Sequence, residues 1–186
     1  MNMIYKNTTG RLCMVAFGIV INIVCTFIGI TLRLPLYLDS IGTVLITSMF
    51  GIKYGIIAGV TGALISGFTF DVYSLYFFPV QILTACMAGL MLKTKWLTGW
   101  RLPFGSIVVC LPTALLSAAI AAQVFGGLTS AGSSYIVVLM NGLGVNLTFA
   151  CLIVQILTEY VDKTIAVVLS KAVLRKGVYI GIYGQI

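Results

Sequence analysis

The sequence predicts an all-α integral membrane protein with six transmembrane helices and both termini cytoplasmic. Three observations predict it. The first is composition: 60% of the 186 residues are hydrophobic and 8% are charged, with a mean hydropathy of +1.13. A soluble domain is about 25% charged, so this chain cannot cover its surface with polar groups. The second is pattern. The apolar segments do not alternate with polar residues as barrel strands do, so the spans are helices. The third is the distribution of basic residues, taken up below. At roughly 20 residues per span, the length allows five to seven helices and leaves no room for a soluble ATPase or kinase domain. The whole of 1–186 reads as a single transmembrane domain.

The polar, basic segment before Arg11 leads into a first span over about 12–32. Leu34-Pro35 forces extended backbone and stops that helix. The stretch Arg33-Leu34-Pro35-Leu36-Tyr37-Leu38-Asp39 is a loop, and Asp39 or Ser40 supplies the N-cap of a short second span, 40–51. Lys53 marks a turn. The third span, 54–68, carries Gly55, Gly59, Ala63 and Gly67 at four-residue spacing, a face that lets another backbone come close. An aromatic loop, Thr69 to Phe78, precedes a fourth span over 79–92, with Pro79 in its first turn. Lys93, Lys95 and Arg101 mark a basic loop. The fifth span is 102–125. A Gly/Ser loop, 126–134, leads to a sixth span over 135–157. Glu159, Asp162, Lys163, Lys171, Arg175 and Lys176 follow in a basic C-terminal extension, 158–186.

With the N-terminus inside, the inner regions hold Lys6, Arg11, Lys53, Lys93, Lys95, Arg101, Lys163, Lys171, Arg175 and Lys176. The outer loops hold only Arg33. This is a positive-inside distribution, and it accounts for the net charge of +7 without nucleic acid. The five cysteines lie in apolar stretches with no CxxC pair and no His, which argues against a metal site or a disulfide framework.

Catalysis finds no support. The chain lacks His, paired carboxylates within a span, an HExxH motif and a phosphate-cradling glycine loop. No cofactor is called for. The expected spans hold almost no ionisable residue, which argues against an autonomous ion-driven carrier. What remains is a binding surface where three outer loops converge. It offers Arg33, Tyr37, Asp39, Asp71, Tyr73, Tyr76, Phe77, Phe78 and Tyr135. Aromatics with a few charges suit a heterocyclic ligand; an interfacial aromatic belt is the competing reading. Asn141 and Asn146 in the sixth span, and Gln81 in the fourth, either bind ligand or join helices.

Together these features resemble the substrate-binding S component of an energy-coupling factor (ECF) transporter. The resemblance is carried by six spans in under 200 residues and by Leu36-Tyr37-Leu38-Asp39-Ser40-Ile41-Gly42-Thr43, followed by Phe50-Gly51-Ile52-Lys53-Tyr54-Gly55 with Gly59. It implies capture of a water-soluble vitamin or precursor near the outer face, of the thiamine/pyrimidine, riboflavin or queuosine-precursor class. It also implies a transmembrane coupling subunit and two cytoplasmic ATPases in the bacterial cytoplasmic membrane. The family's small-residue docking face on the first helix maps weakly to Ala16 and Gly18, because Val20 and Asn22 stand where the pattern wants small residues. A sensory transmembrane domain and an autonomous ion-coupled carrier are the alternatives.

Overall fold

Eight helices, and no strand among the described residues, build the chain. The computed structural model describes residues 8–97 and 99–175; Lys6, Lys176 and the rest of the expected extension to 186 lie outside the described residues. The first helix, α1, is Thr8–Thr31. It closes where Leu34-Pro35 forbids continuation. The Leu34 N–H donates to the Gly29 carbonyl at 2.8 Å and the Arg33 N–H to Ile30 at 3.0 Å. Arg33 sits at φ 51, in the left-handed position that such a C-terminal motif requires.

The chain then turns back along α1. A Cβ added at Gly29 would lie 2.9 Å from the Leu36 carbonyl and 3.2 Å from that of Tyr37. Further down, the Asn22 side chain meets the backbone of Gly42 and Thr43. At 1.5 Å per residue, Asn22 lies about 14 Å below the end of α1. The segment 34–40 is therefore re-entrant, and α2 (Ile41–Phe50) starts deep in the bundle. At ten residues it is about 15 Å long, half a bilayer core. It is also the central helix, with Gly42 to Thr47 and Met49 all buried and α1 along one side.

Gly51 at φ 90 reverses the chain into α3 (Ile52–Thr69). The small residues of α3 face its neighbours. Gly55 packs on Thr47, while a Cβ on Gly59 would come within 3.0 Å of Thr43 and Gln81. Ala63 is buried, and Gly67 packs on Leu75. The one-turn α4 (Val72–Tyr76) leads into α5 (Phe78–Leu92), which has Pro79 in its first turn. Short 3-10 turns at Lys95–Leu97 and Gly99–Arg101 connect to α6 (Leu102–Phe125), which Gly126 ends at φ 58.

The expected sixth span is corrected. It is two helices, α7 (Ser133–Gly142) and α8 (Leu147–Arg175), broken where Gly144 takes φ 91. The α8 helix is 29 residues long. It packs along α6 and beside α2, so Glu159, Asp162 and Lys163 belong to the bundle rather than to an extension beyond it. One apolar cluster joins Phe77, Val80, Ala118, Ala121, Ala150 and Val154. A second joins Val44, Ala88, Leu97, Ala166 and Val167.

Three segments are long and apolar enough to cross a membrane: Thr8–Thr31, Ile52–Thr69 and Gly99–Phe125. The α2 and α5 helices are apolar but shorter. One side of α1 leaves Leu12, Phe17, Val20, Val24 and Phe27 exposed. That suits contact with lipid.

Candidate functional site

Ser40 holds the N-cap position of α2, one of the two residues expected there, but its side chain makes no capping hydrogen bond. The orphan N–H groups of a helix start need acceptors, and α1 supplies one from the side. Asn22 Oδ1 accepts from the Gly42 N–H at 2.7 Å and the Thr43 N–H at 3.3 Å. Asn22 Nδ2 donates to Thr43 Oγ1 at 2.9 Å, and Thr43 Oγ1 donates to Gln81 Oε1 at 2.8 Å. Gln81 Nε2 reaches the Asp39 carbonyl at 3.4 Å. One chain of hydrogen bonds thus ties α1, α2, α5 and the re-entrant segment together.

Ser40 instead donates to Asp162 Oδ2 at 2.7 Å. Asp162 belongs to a buried charge cluster on α8. Lys163 Nζ lies 2.9 Å from Asp162 Oδ2 and 3.0 Å from Glu159 Oε2. Ser117 of α6 donates to Glu159 Oε1 at 2.9 Å. The Lys163 side chain is 1% exposed, so its charge depends wholly on these two carboxylates. The charges acting on Asp39 are Lys163, Asp162 and Glu159. The three segments long and apolar enough to cross a membrane hold few charged residues, as expected; the buried acids and lysine sit on α8, which the sequence placed beyond the last span. Acids and a lysine are tolerated inside because they pair with each other and with hydroxyls.

Beside this cluster lies a recess with about 10 Å³ of free space, lined by Pro35, Tyr37, Gln155, Thr158, Glu159 and Asp162. That is room for one water-sized group. Asp162 Oδ1 is buried and has no hydrogen-bond partner.

The other predicted residues fall into three groups. Tyr37 and Gln81 join the centre just described, as does Asp39. The Tyr37 hydroxyl pairs with Ser130 Oγ at 3.2 Å, and its ring lies 5.8 Å from Phe77. The Gly132 N–H donates to the Leu34 carbonyl at 2.9 Å. The first and last of the three loops are thereby joined.

A second group is aromatic. Phe125 gathers Tyr73 at 4.8 Å and Tyr76 at 5.0 Å edge-on, and stacks with Phe77 at 6.3 Å. Asp71 is buried and accepts from Ser74 Oγ at 2.6 Å within its own turn.

The third group lies elsewhere. Arg33 and Tyr135 are exposed. Asn141 and Asn146, expected inside an apolar helix, flank the break between α7 and α8. Asn141 Nδ2 donates to the Val145 carbonyl, and Asn146 Oδ1 accepts from the Thr148 N–H at 3.0 Å, an N-cap for α8. Both are exposed. Gly142 and Gly144 have open space where a Cβ would stand. Gly18 is corrected as a docking residue: it is buried against Ile46 and Gly42 of α2. Ala16 is exposed on α1.

Sequence reasoning missed Asn22, Ser40, Ser117, Glu159, Asp162 and Lys163 as part of this centre. One signal was present. Glu159 and Lys163 stand four residues apart, which places them on one helix face. Among the described residues, no three His, Cys, Asp or Glu side chains are grouped to hold a metal ion. Comparison of the chain with family models, curated proteins and solved structures gives no match.

Proposed function

We propose that this chain is the substrate-binding membrane subunit of an ECF-type transporter in a bacterial cytoplasmic membrane. It is not itself an enzyme. The observation that carries the reading is the re-entrant segment 34–40. It runs from Tyr37, near the end of α1, down to Asp39, whose carbonyl meets Gln81 of α5, with Tyr37 beside Gln155 and Glu159 of α8. Half-helices that begin inside a membrane protein, preceded by irregular backbone lining a cavity, are a recurrent way to build a substrate site there. The loops on either side close over it through Tyr37–Ser130 and Tyr37–Phe77.

In this reading the short helices α2 and α5 complete six spans with the longer ones, and both termini face the cytoplasm. The ligand is a water-soluble vitamin or precursor of the thiamine/pyrimidine, riboflavin or queuosine-precursor class. The aromatic group around Phe125 offers stacking surface to its ring. A membrane coupling subunit and two cytoplasmic ATPases energise uptake, and the exposed face of α1 that includes Ala16 is available to the coupling subunit. Titration of the purified chain in lipid nanodiscs with a panel of water-soluble vitamins tests this. Saturable binding of one vitamin is expected; absence of binding across the panel refutes the reading.

One observation favours a second reading. The buried Asp39, Glu159, Asp162 and Lys163 are the kind of intramembrane charges that ion-coupled carriers use. Sealed vesicles holding only this protein decide the matter. Uptake driven by a proton or sodium gradient, without ATP, supports the carrier and overturns the binding subunit.

A further inference from the structure

We infer that the ledge formed by Trp96, Trp100 and Phe104, with Lys93 and Arg101 beside it, binds the phosphate headgroup of an anionic phospholipid. The ledge is held in place by the bundle. Leu97 is buried among Val44, Ala88, Ala166 and Val167 and pins the connection between α5 and α6. Gly105 lets α6 start close against that connection: a Cβ there would come 2.7 Å from the Trp96 carbonyl. With Leu97 turned inward, Trp96 and Trp100 are 52% and 78% exposed. The Trp100 ring meets Phe104 edge-on at 6.4 Å.

Two observations select the occupant. The first is continuity with an apolar surface. Phe104 begins an exposed stripe on α6 that continues through Ile107, Val108, Leu111 and Leu115, in a segment long and apolar enough to cross a membrane. Steps of three and four residues keep these side chains on one face. Trp100 stands just beyond the end of the stripe, at the level where tryptophan meets lipid headgroups. The second observation is charge. Lys93 closes α5, Arg101 opens α6, and both are exposed. Lys53 is exposed at the same end of the bundle, because Ile52 beside it packs on Gly89 of α5. The chain has four acids, Asp39, Asp71, Glu159 and Asp162, and none of them is exposed. An anion at this end therefore has to come from outside the chain. An arginine fork and an indole N–H suit phosphate oxygens. In the proposed topology this end faces the cytoplasm, whose leaflet carries anionic lipid.

Trp96 and Trp100 are the two tryptophans of the whole chain, so tryptophan fluorescence reports on this ledge alone. The full chain is reconstituted into phosphatidylcholine vesicles containing increasing fractions of either phosphatidylglycerol or phosphatidylcholine brominated near the headgroup end of its acyl chains. Bromine quenches by contact, and the two quenching curves give the relative affinity of the two headgroups at the ledge. Phosphatidylglycerol is expected to bind at least about fivefold tighter, the effect of one basic residue near a charged bilayer surface. The double variant Lys93→Gln/Arg101→Gln is expected to lose that preference. Each single variant is expected to weaken it, which keeps the test open should the double variant not fold. Arg33→Gln, exposed at the opposite end of α1, is expected to keep it. Equal affinity for the two lipids overturns the inference, as does a preference that survives in the variants or is lost equally in Arg33→Gln. Absence of quenching by either lipid also overturns it and leaves the ledge to a protein partner. The measurement does not read vitamin binding, so the binding-subunit proposal stands or falls on its own titration.

Discussion

Ser40 and Asp162 stand 122 positions apart and share a 2.7 Å hydrogen bond in the centre of the bundle. It fixes the start of α2 against the middle of α8. A hydrogen bond to a charged group contributes about 1.5–3 kcal/mol. Ser40→Ala is therefore expected to lower the melting temperature of the purified protein while leaving its helical content unchanged. An unaltered melting temperature would show that this contact does not hold the two helices together.

Asn22 satisfies the first N–H groups of α2 from a neighbouring helix. Leaving buried donors without an acceptor costs about 1–3 kcal/mol each. Asn22→Ala should destabilise the protein by at least that much, whereas Asn141→Ala, at an exposed helix end, should change little. Denaturation of the two variants side by side checks the contrast. Equal effects would contradict the assigned cap.

Lys163 is balanced by Glu159 and Asp162. Breaking a buried ion pair by removing one partner costs about 3–5 kcal/mol. Lys163→Met is expected to reduce folded yield sharply. Adding Glu159→Gln should recover part of the loss, because it removes one of the stranded charges. Failure of the double variant to recover anything would argue that Lys163 acts by some route other than this pairing.

Two glycines on helices make a steric test. A Cβ at Gly42 would run into the Gly18 carbonyl of α1, while Gly142 has open space around it. Gly42→Ala should lower folded yield; Gly142→Ala should be neutral or slightly stabilising, as Ala favours helix over Gly. Monodisperse yield from matched expressions reads this directly. Comparable yields would mean that α1 and α2 are not in close backbone contact.

The helical class was legible because long apolar runs leave few alternatives, and Leu34-Pro35 announces the end of α1 in its own chemistry. The re-entrant course of 34–40 was not legible. It depends on Gly29 and Asn22 of α1 receiving that segment, and nothing local to the loop encodes such a partner. The sixth span failed for a different reason. Averaged hydropathy ran through Asn141-Gly142-Leu143-Gly144-Val145-Asn146, although that composition is a turn signal. Moving the helix start to Leu147 carried Glu159, Asp162 and Lys163 from a supposed tail into the bundle. Each charge by itself argues for a place beyond the last span, whereas the burial of these three depends on pairing across α8, α6 and the start of α2. Tyr37, Asp39 and Gln81 stand out in the sequence as polar or aromatic residues beside apolar runs; the pairing that buries Glu159 and Asp162 does not.

The proposed function requires that this bundle hold a small ligand against Tyr37 and α8. Native mass spectrometry of the protein purified from membranes, with and without Tyr37→Ala, tests it most directly. The predicted result is one small molecule retained by the unaltered protein and lost from the folded Tyr37→Ala variant. An identical molecule retained equally by both would contradict the claim, as would a ligand-free protein that binds no vitamin when titrated.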